Sequence, residues 1–353
     1  MYTIYARLPG TETQMSDIRY NKSIVKNINE SLIRKALRSS EVFTKTKIAR
    51  DTGLSFPTVS RILDEMAQDG EILSIGVDPT TGGRHAHSYS VNPDYAYVLC
   101  LYYPGRSLHT LVLNALGQPV EKEKFLAEHD RLKEQIDEIV ELKMKKYAIR
   151  AISAGLPWGI NNGTILFGAK AFGLEGYNLK EHLEKKFGIS ARVENDMNTI
   201  VTGCYNRMFT DEKVSLACVN FGSRGCGCGL YLDGHLVRGT NGFAGELRYL
   251  PMNHEANLDA EYAGGFMSHD AVTRIAQTVS ALCATVDPAY IVFYKNPLVE
   301  NILPEVREAC RRYLPDEVIP ELILTSTYQE DFERGLVQFG TDQLLAGYRI
   351  INR

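Results

Sequence analysis

Leu54-Ser55-Phe56-Pro57-Thr58-Val59-Ser60-Arg61-Ile62-Leu63 sets how the first quarter of the chain folds. The Ser55 hydroxyl suits a helix cap, and Pro57 is tolerated in a first helical turn, where no N–H is needed. Val59, Ile62, Leu63 and Met66 then form one apolar stripe at helical spacing, and Gly70 is placed to end the helix. On the N-terminal side, Gly53 breaks a shorter helix that is capped by Thr46 and turns Ile48 and Ala49 inward. Before it, Ile24, Ile28, Leu32, Ile33, Ala36 and Leu37 repeat at helical spacing. On the C-terminal side, Glu71 to Gly76 reads as a strand, Asp78 to Gly83 as a turn, and Ser88 to Val91 as the returning strand.

Three helices and a hairpin predict a winged helix-turn-helix over residues 21–94, after a loose tail at 1–20 and up to a boundary at Asn92-Pro93-Asp94. In such a motif the second helix enters the DNA major groove by its N-terminal residues. That places Ser55, Phe56, Pro57, Thr58, Ser60 and Arg61 at the groove, with Arg61 suited to a bidentate bond to guanine. Thr44, Lys45, Thr46 and Lys47 start the preceding helix, where phosphates are met. Arg84, beside Gly82-Gly83 at the hairpin tip, is placed for a minor groove. Residues 19–61 carry a net charge of +7 and the remainder −11, so a basic block suited to a polyanion sits on an acidic chain. A winged helix used only for protein contact is the competing reading.

The bulk composition bounds the class. The 353 residues suffice for two domains with real cores. The 44% apolar and 23% charged content is that of a soluble globular chain, and no run of about 18 apolar residues predicts a membrane span. Met1 to Gly10 lacks the apolar core of a signal peptide. Seven scattered cysteines, an odd number, argue against a disulfide framework and for a reducing cytoplasm.

From Tyr95 the texture changes. Strands are predicted at 97–101, 108–113, 148–154 and 191–193, with helices at 126–147 and 179–187. Residues 214–220 and 229–232 read as paired strands around a glycine loop, followed by helices at 268–286 and 298–313, a strand at 322–324 and a last helix at 331–348. Strands mixed with long helices predict an α/β domain in two lobes over residues 95–353.

Five strings in this order carry a resemblance. They are Asn27-Ile28-Asn29; Ser153-Ala154-Gly155-Leu156-Pro157 with Gly163; Val193-Glu194-Asn195-Asp196-Met197-Asn198; the glycine run from Asn220 to Gly229; and Arg238-Gly239-Thr240-Asn241-Gly242-Phe243-Ala244-Gly245-Glu246. From about Asn21 onward the chain resembles the ROK family (repressors, open reading frames, kinases), in the branch with a DNA-binding head. The resemblance implies an actin/hexokinase-like two-lobed fold and a sugar cleft at Gly155, Asn195, Asp196 and Glu246. In family kinases the residue matching Asp196 is the general base. The residues also make sense alone, because carboxylates and amides answer both roles of a sugar hydroxyl; for Asn195-Asp196 a plain helix cap is the alternative.

Several kinase elements are missing, and that bears on the chemistry. The Asp-x-Gly-Gly-Thr of the first hairpin in family kinases is matched here by Cys100 to Ser107, which has no Asp and where Tyr102, Tyr103 and Pro104 would crowd a phosphate. The glycines expected after the strand 290–292 are replaced by Phe293-Tyr294-Lys295-Asn296. The family's zinc-binding His is replaced by Arg248, and no Cys lies between Cys228 and Cys283, so no metal is predicted. His254 and His269 read as surface residues. Arg248 either faces an acidic or phosphorylated sugar or ties the zinc-less loop by pairing with a nearby carboxylate such as Asp259 or Glu261. The resemblance also implies a sugar-facing carboxylate in the segment 253–266, for which Asp259 and Glu261 are equal candidates. The chain is thus expected to be a cytoplasmic transcription regulator that needs no cofactor, binds operator DNA as a homodimer or dimer of dimers, and senses a carbohydrate without phosphorylating it. An active sugar kinase and a DNA-binding scaffold with a vestigial pocket are the rivals.

Overall fold

The computed structural model describes residues 22–38, 41–77, 87–209, 212–222, 225–254, 256–263 and 268–345. Helix α1 spans Lys22–Leu37, strand β1 Phe43–Thr44, helix α2 Lys45–Thr52 and helix α3 Phe56–Gln68. Thr44, and not Thr46, caps α2: its side chain accepts from the Lys47 N–H at 3.2 Å, which moves Thr46 into the first turn. Ser55 caps α3 and Pro57 sits in its first turn, while Val59, Ile62, Leu63 and Met66 are buried. Of the α1 stripe, Ile33 and Leu37 are buried, but Ile28 and Leu32 are exposed. The head's core closes over Phe43, Ile48 and Tyr89. Strands β2 (Ile72–Val77) and β3 (His87–Val91) pair antiparallel, and β1 adds to β3 as a third strand. The hairpin tip with Arg84 lies outside the described residues.

The second region builds two sheets. Strands β4 (Tyr97–Tyr102), β5 (Ser107–Leu113), β6 (Pro119–Leu126) and β7 (Ile149–Leu156), with helix α4 (Leu132–Lys146) before β7, begin the first. A hairpin of β8 (Gly159–Asn161) and β9 (Thr164–Phe167), then helix α5 (Leu179–Phe187), lead to β10 (Ser190–Asn195). The strand order is β10-β7-β4-β5-β6. After helix α6 (Asp196–Met208), strands β11 (Leu216–Gly222), β12 (Gly225–Leu232), β13 (His235–Val237), β14 (Tyr290–Tyr294) and β15 (Glu321–Thr325) form the second sheet, ordered β13-β12-β11-β14-β15. Helices α7 (Leu258–Ala263), α8 (Ser268–Val286) and α9 (Leu303–Cys310) precede or interrupt its last strands, and α10 (Tyr328–Leu345) comes after them.

Helices α6 and α10 sit between the two sheets. One buried cluster joins Val98, Cys100 and Leu111 of the first sheet to Ile200 and Cys204 of α6, Phe332 and Leu336 of α10, and Cys218 and Val292 of the second. The helices touch backbone to backbone: a Cβ on Gly203 would strike the Asp331 carbonyl, and one on Gly335 the Thr199 carbonyl. Only glycine permits that approach. Beside it Asp331, fully buried, binds Arg207 through both carboxylate oxygens at 2.7 and 3.0 Å and accepts from Tyr294 Oη and Thr327 Oγ1 at 2.9 Å each. The head meets this frame where Arg38 Nη2 donates to the Ala115 carbonyl at 2.8 Å.

Candidate functional site

A cleft of about 260 Å³ opens where the strand ends of both sheets face each other. Its walls come from Pro104, the β7–β9 segment with Trp158 and Phe167, the α6 N-terminus, the β11–β12 hairpin, Gly245 to Arg248, and Tyr328. Three of the expected sugar residues, Asn195, Asp196 and Glu246, line it together with Arg248.

Asn195 is held on both sides. Its Oδ1 accepts from the N–H groups of Met197 and Asn198 at 2.8 and 3.2 Å, and its Nδ2 donates to the Trp158 carbonyl at 3.0 Å. The helix-cap alternative is therefore realised, and the cap presents the neighbouring Asp196 to the cleft. Asp196 accepts from the Met197 N–H at 2.8 Å and sits at the positive end of α6, which favours a carboxylate. Glu246 is different. Burial pushes its carboxyl up to about 7, with Asp196 and Asp259 adding to the rise and Arg248 opposing it. Near neutral pH it can donate or accept a hydrogen bond.

Arg248 pairs with Asp259 at 3.5 Å across Gly225, where a Cβ would meet Asp259 Oδ1 at 2.6 Å and Arg248 Nη2 at 2.7 Å. Glu261 is tied elsewhere, to Arg274 at 3.1 Å and Asn253 at 2.6 Å. Asp259 is thus the partner of Arg248, while neither Asp259 nor Glu261 is among the residues that line the cleft. Gly155 moves out of the site: a Cβ there would strike the Phe332 ring, so this residue faces α10 and not the cleft.

Tyr102 and Tyr103 do not enter the cleft either. They alternate along the strand end into opposite cores, Tyr102 bonding Glu333 at 2.6 Å and Tyr103 packing on Trp158 and Phe172. Pro104 alone of the three reaches the opening. Phe293 and Tyr294 extend β14 and are buried, Phe293 beneath the second sheet and Tyr294 against Asp331. Cys226 and Cys228 line the cleft, with thiols pushed up by burial. Among the described residues no three His, Cys, Asp or Glu side chains are grouped to hold a metal. His254 is exposed, and the His269 side chain lies outside the described residues. Sequence reasoning missed Trp158 and Phe167; the one tryptophan, directly after Gly155-Leu156-Pro157, was the available signal.

On the head, Phe56, Pro57, Ser60 and Arg61 share an open face of α3 with Asp64, Glu65 and Gln68. Arg61 pairs with Glu65 at 2.5 Å while about half exposed. Lys45 donates to Ser60 Oγ at 3.0 Å and pairs with Asp64, so α2 and α3 share one polar surface. Ser55 and Thr58 bond each other at 2.8 Å.

Residues 99–267 match the profile described as the ROK family. That stretch, just under half of the chain, is similar to this family. The chain is 27% identical over 251 residues to the xylose repressor of Caldicellulosiruptor bescii, covering 67% of this chain and 62% of that one. It is 22% identical over 253 residues to the DNA-binding transcriptional dual regulator NagC of Escherichia coli, covering 69% and 61%. The matched stretch thus spans under two thirds of these relatives. A ROK family transcriptional regulator, homolog of the E. coli MLC protein, superposes with a TM-score of 0.68 at 15% identity over 91% of this chain and 98% of its own. A ROK glucokinase of Streptomyces griseus, solved with glucose and AMPPNP, gives 0.53 at 14% over 69% and 99%. The kinase shares the two-lobed α/β part of the fold; the regulator's match is long enough to require the head as well. No helix among the described residues is long and apolar enough to cross a membrane, and all seven cysteines are free and buried.

Proposed function

We propose that this chain is a sequence-specific DNA-binding transcription regulator that senses a sugar in a cleft of kinase ancestry and does not phosphorylate it. The observation that carries the reading is the pairing, in one chain, of an open α3 face bearing Arg61 with a carboxylate-lined cleft. The names of the relatives support it: repressors and a transcriptional regulator. Residues 21–94 act as the head and 95–353 as the sensor, and a homodimer reads an inverted repeat. Arg248 is partly neutralised by Asp259, Asp196 adds a carboxylate, and burial favours the uncharged form of Glu246, which supports a neutral sugar over an acidic one. Ligand at Asp196 bears on the start of α6, α6 packs on α10, and α1 borders the end of α10 around Leu344 and Leu345. The cleft and the head thus share one mechanical frame.

The retained Asp196 and glycine hairpin favour a second reading, an active kinase. One experiment separates them. The full chain is used to select duplexes from a random pool, and the selected DNA is titrated with a sugar panel, with ADP release followed in parallel. Enrichment of an inverted repeat whose affinity changes with one sugar, without sugar-dependent ADP release, is expected. Failure to enrich any sequence, or ADP formation lost in Asp196→Ala, overturns the proposal.

A further inference from the structure

Glu246 at the cleft is flanked at three residues on either side by large exposed aromatics: Phe243 and Tyr249 are 45% and 46% exposed. The turn that separates them is short, with the Glu246 N–H bonding the Phe243 carbonyl at 3.3 Å and the Tyr249 N–H bonding the Glu246 carbonyl at 3.1 Å. Both rings meet a third, Phe167 of β9: centroids lie 5.7 Å from Phe243 and 6.2 Å from Tyr249, and Phe243 and Tyr249 are 5.1 Å apart. Phe167 itself lines the cleft and packs on Gly159, where a Cβ would strike the Cζ end of its ring. The two sides are fastened together, because Asn161 Nδ2 donates to the Thr240 carbonyl at 3.2 Å and Gly242 packs against the Ile160 carbonyl.

We infer that Phe167, Phe243 and Tyr249 form an outer subsite that takes a second sugar ring, so that the effector is a disaccharide or other glycoside and not a free monosaccharide. This rests on the reading of the cleft as a sugar site. An exposed aromatic cluster marks an interaction surface. Three rings are far too small for a protein partner, whose interface needs about 800 Å² on each side. The cluster is instead continuous with the cleft through Phe167. A pyranose matches it chemically: one face is a set of C–H groups that suit the negative face of an aromatic ring, and its hydroxyls project sideways to water or to a polar rim. The cleft, at about 260 Å³, lies below the ~300 Å³ lower bound usual for drug-sized ligands. One ring fills it, with the next ring left over the aromatic trio.

Trp158, the chain's one tryptophan, lines the cleft and reports occupancy by fluorescence. The full chain is titrated with pairs of probes, xylose and xylobiose, glucose and cellobiose, and N-acetylglucosamine and chitobiose, and the Kd values are checked by calorimetry. For the recognised pair, the disaccharide is expected to bind at least tenfold more tightly than its monosaccharide. Phe243→Ala with Tyr249→Ala should erase that advantage and leave the monosaccharide Kd within twofold. The exposed positions should leave the Tm unchanged, and Tyr249→Phe should retain the advantage. Equal binding of both members of the bound pair, or equal loss of both in the double variant, overturns the outer subsite while the sugar reading stands. Absence of binding by all six probes and their phenyl glycosides overturns the sugar reading, and the subsite with it.

Discussion

The open face of α3 and the cleft use charge in opposite ways. On α3, Arg61 and Glu65 pair on one helix four residues apart, half in water, and can separate at little cost when a phosphate or base edge arrives. At the cleft, Glu246 and Arg248 on one short turn meet Asp259 of α7, and burial has already shifted Glu246. Between α6 and α10 lies the Asp331–Arg207 pair, whose carboxylate sees no solvent. On the function proposed above, a surface that meets a large polyanion keeps its charges in water, whereas a site for a small neutral ligand holds them in fixed positions. Removing a charge should therefore cost binding on α3 and cost folding or protonation at the cleft.

The largest effect tests the second half of that contrast. Asp331→Ala leaves the Arg207 guanidinium without its buried partner and should lower stability by about 3–5 kcal/mol. Denaturant unfolding measures it; a loss as small as that of an exposed ion pair would remove the distinction between the regions. Arg61→Ala should do the reverse. Affinity for the selected operator should fall by about 1–3 kcal/mol in a gel shift, with the Tm unchanged; an unaltered operator Kd would take Arg61 out of the recognition surface.

Glu246 sharpens the comparison through pH. Its folded value of about 7 lies above the ordinary 4.5, so the folded chain binds this proton more tightly than the unfolded one. The stabilising contribution is complete below about pH 4.5 and is lost as pH rises through 7. In Glu246→Gln that slope of Tm against pH should vanish, while Glu65→Gln on α3 should leave it in place. Identical slopes in wild type and Glu246→Gln would show that the cleft does not desolvate this carboxylate. The smallest expected effect is none at all: with Arg248–Asp259 spanning the loop, EDTA should leave the Tm where it was, and one zinc per chain by elemental analysis would overturn the expectation that no metal is bound.

Much of the head was legible because its determinants are local. Caps at Ser55, the stripe from Val59 to Met66 and the break at Gly53 act within one or two turns, and the structure bears each out. The shift of the α2 cap to Thr44 is an error of two residues between threonines of equal chemistry. Strand β6 has no counterpart among the strands expected from the sequence. It is an edge strand with an exposed, charged face, so no buried alternation marks it. The β8–β9 hairpin escaped because its few residues are too short for any periodicity to show.

At the cleft, the sequence by itself determined which chemical groups are present: the Asn195-Asp196 pair, Glu246 after its glycines, Arg248 in place of an imidazole, and Pro104 in the first hairpin. Only the tertiary structure decided which way they face. Strand alternation sends Tyr102 and Tyr103 to opposite cores and turns Gly155 onto Phe332. The choice of Asp259 over Glu261 depends on Arg274, supplied by another helix. The rise of Glu246 and the meeting of Phe167 with Phe243 and Tyr249 result from two segments some eighty residues apart closing on each other. Desolvation and ring contact are properties of that closure, and no local pattern encodes them.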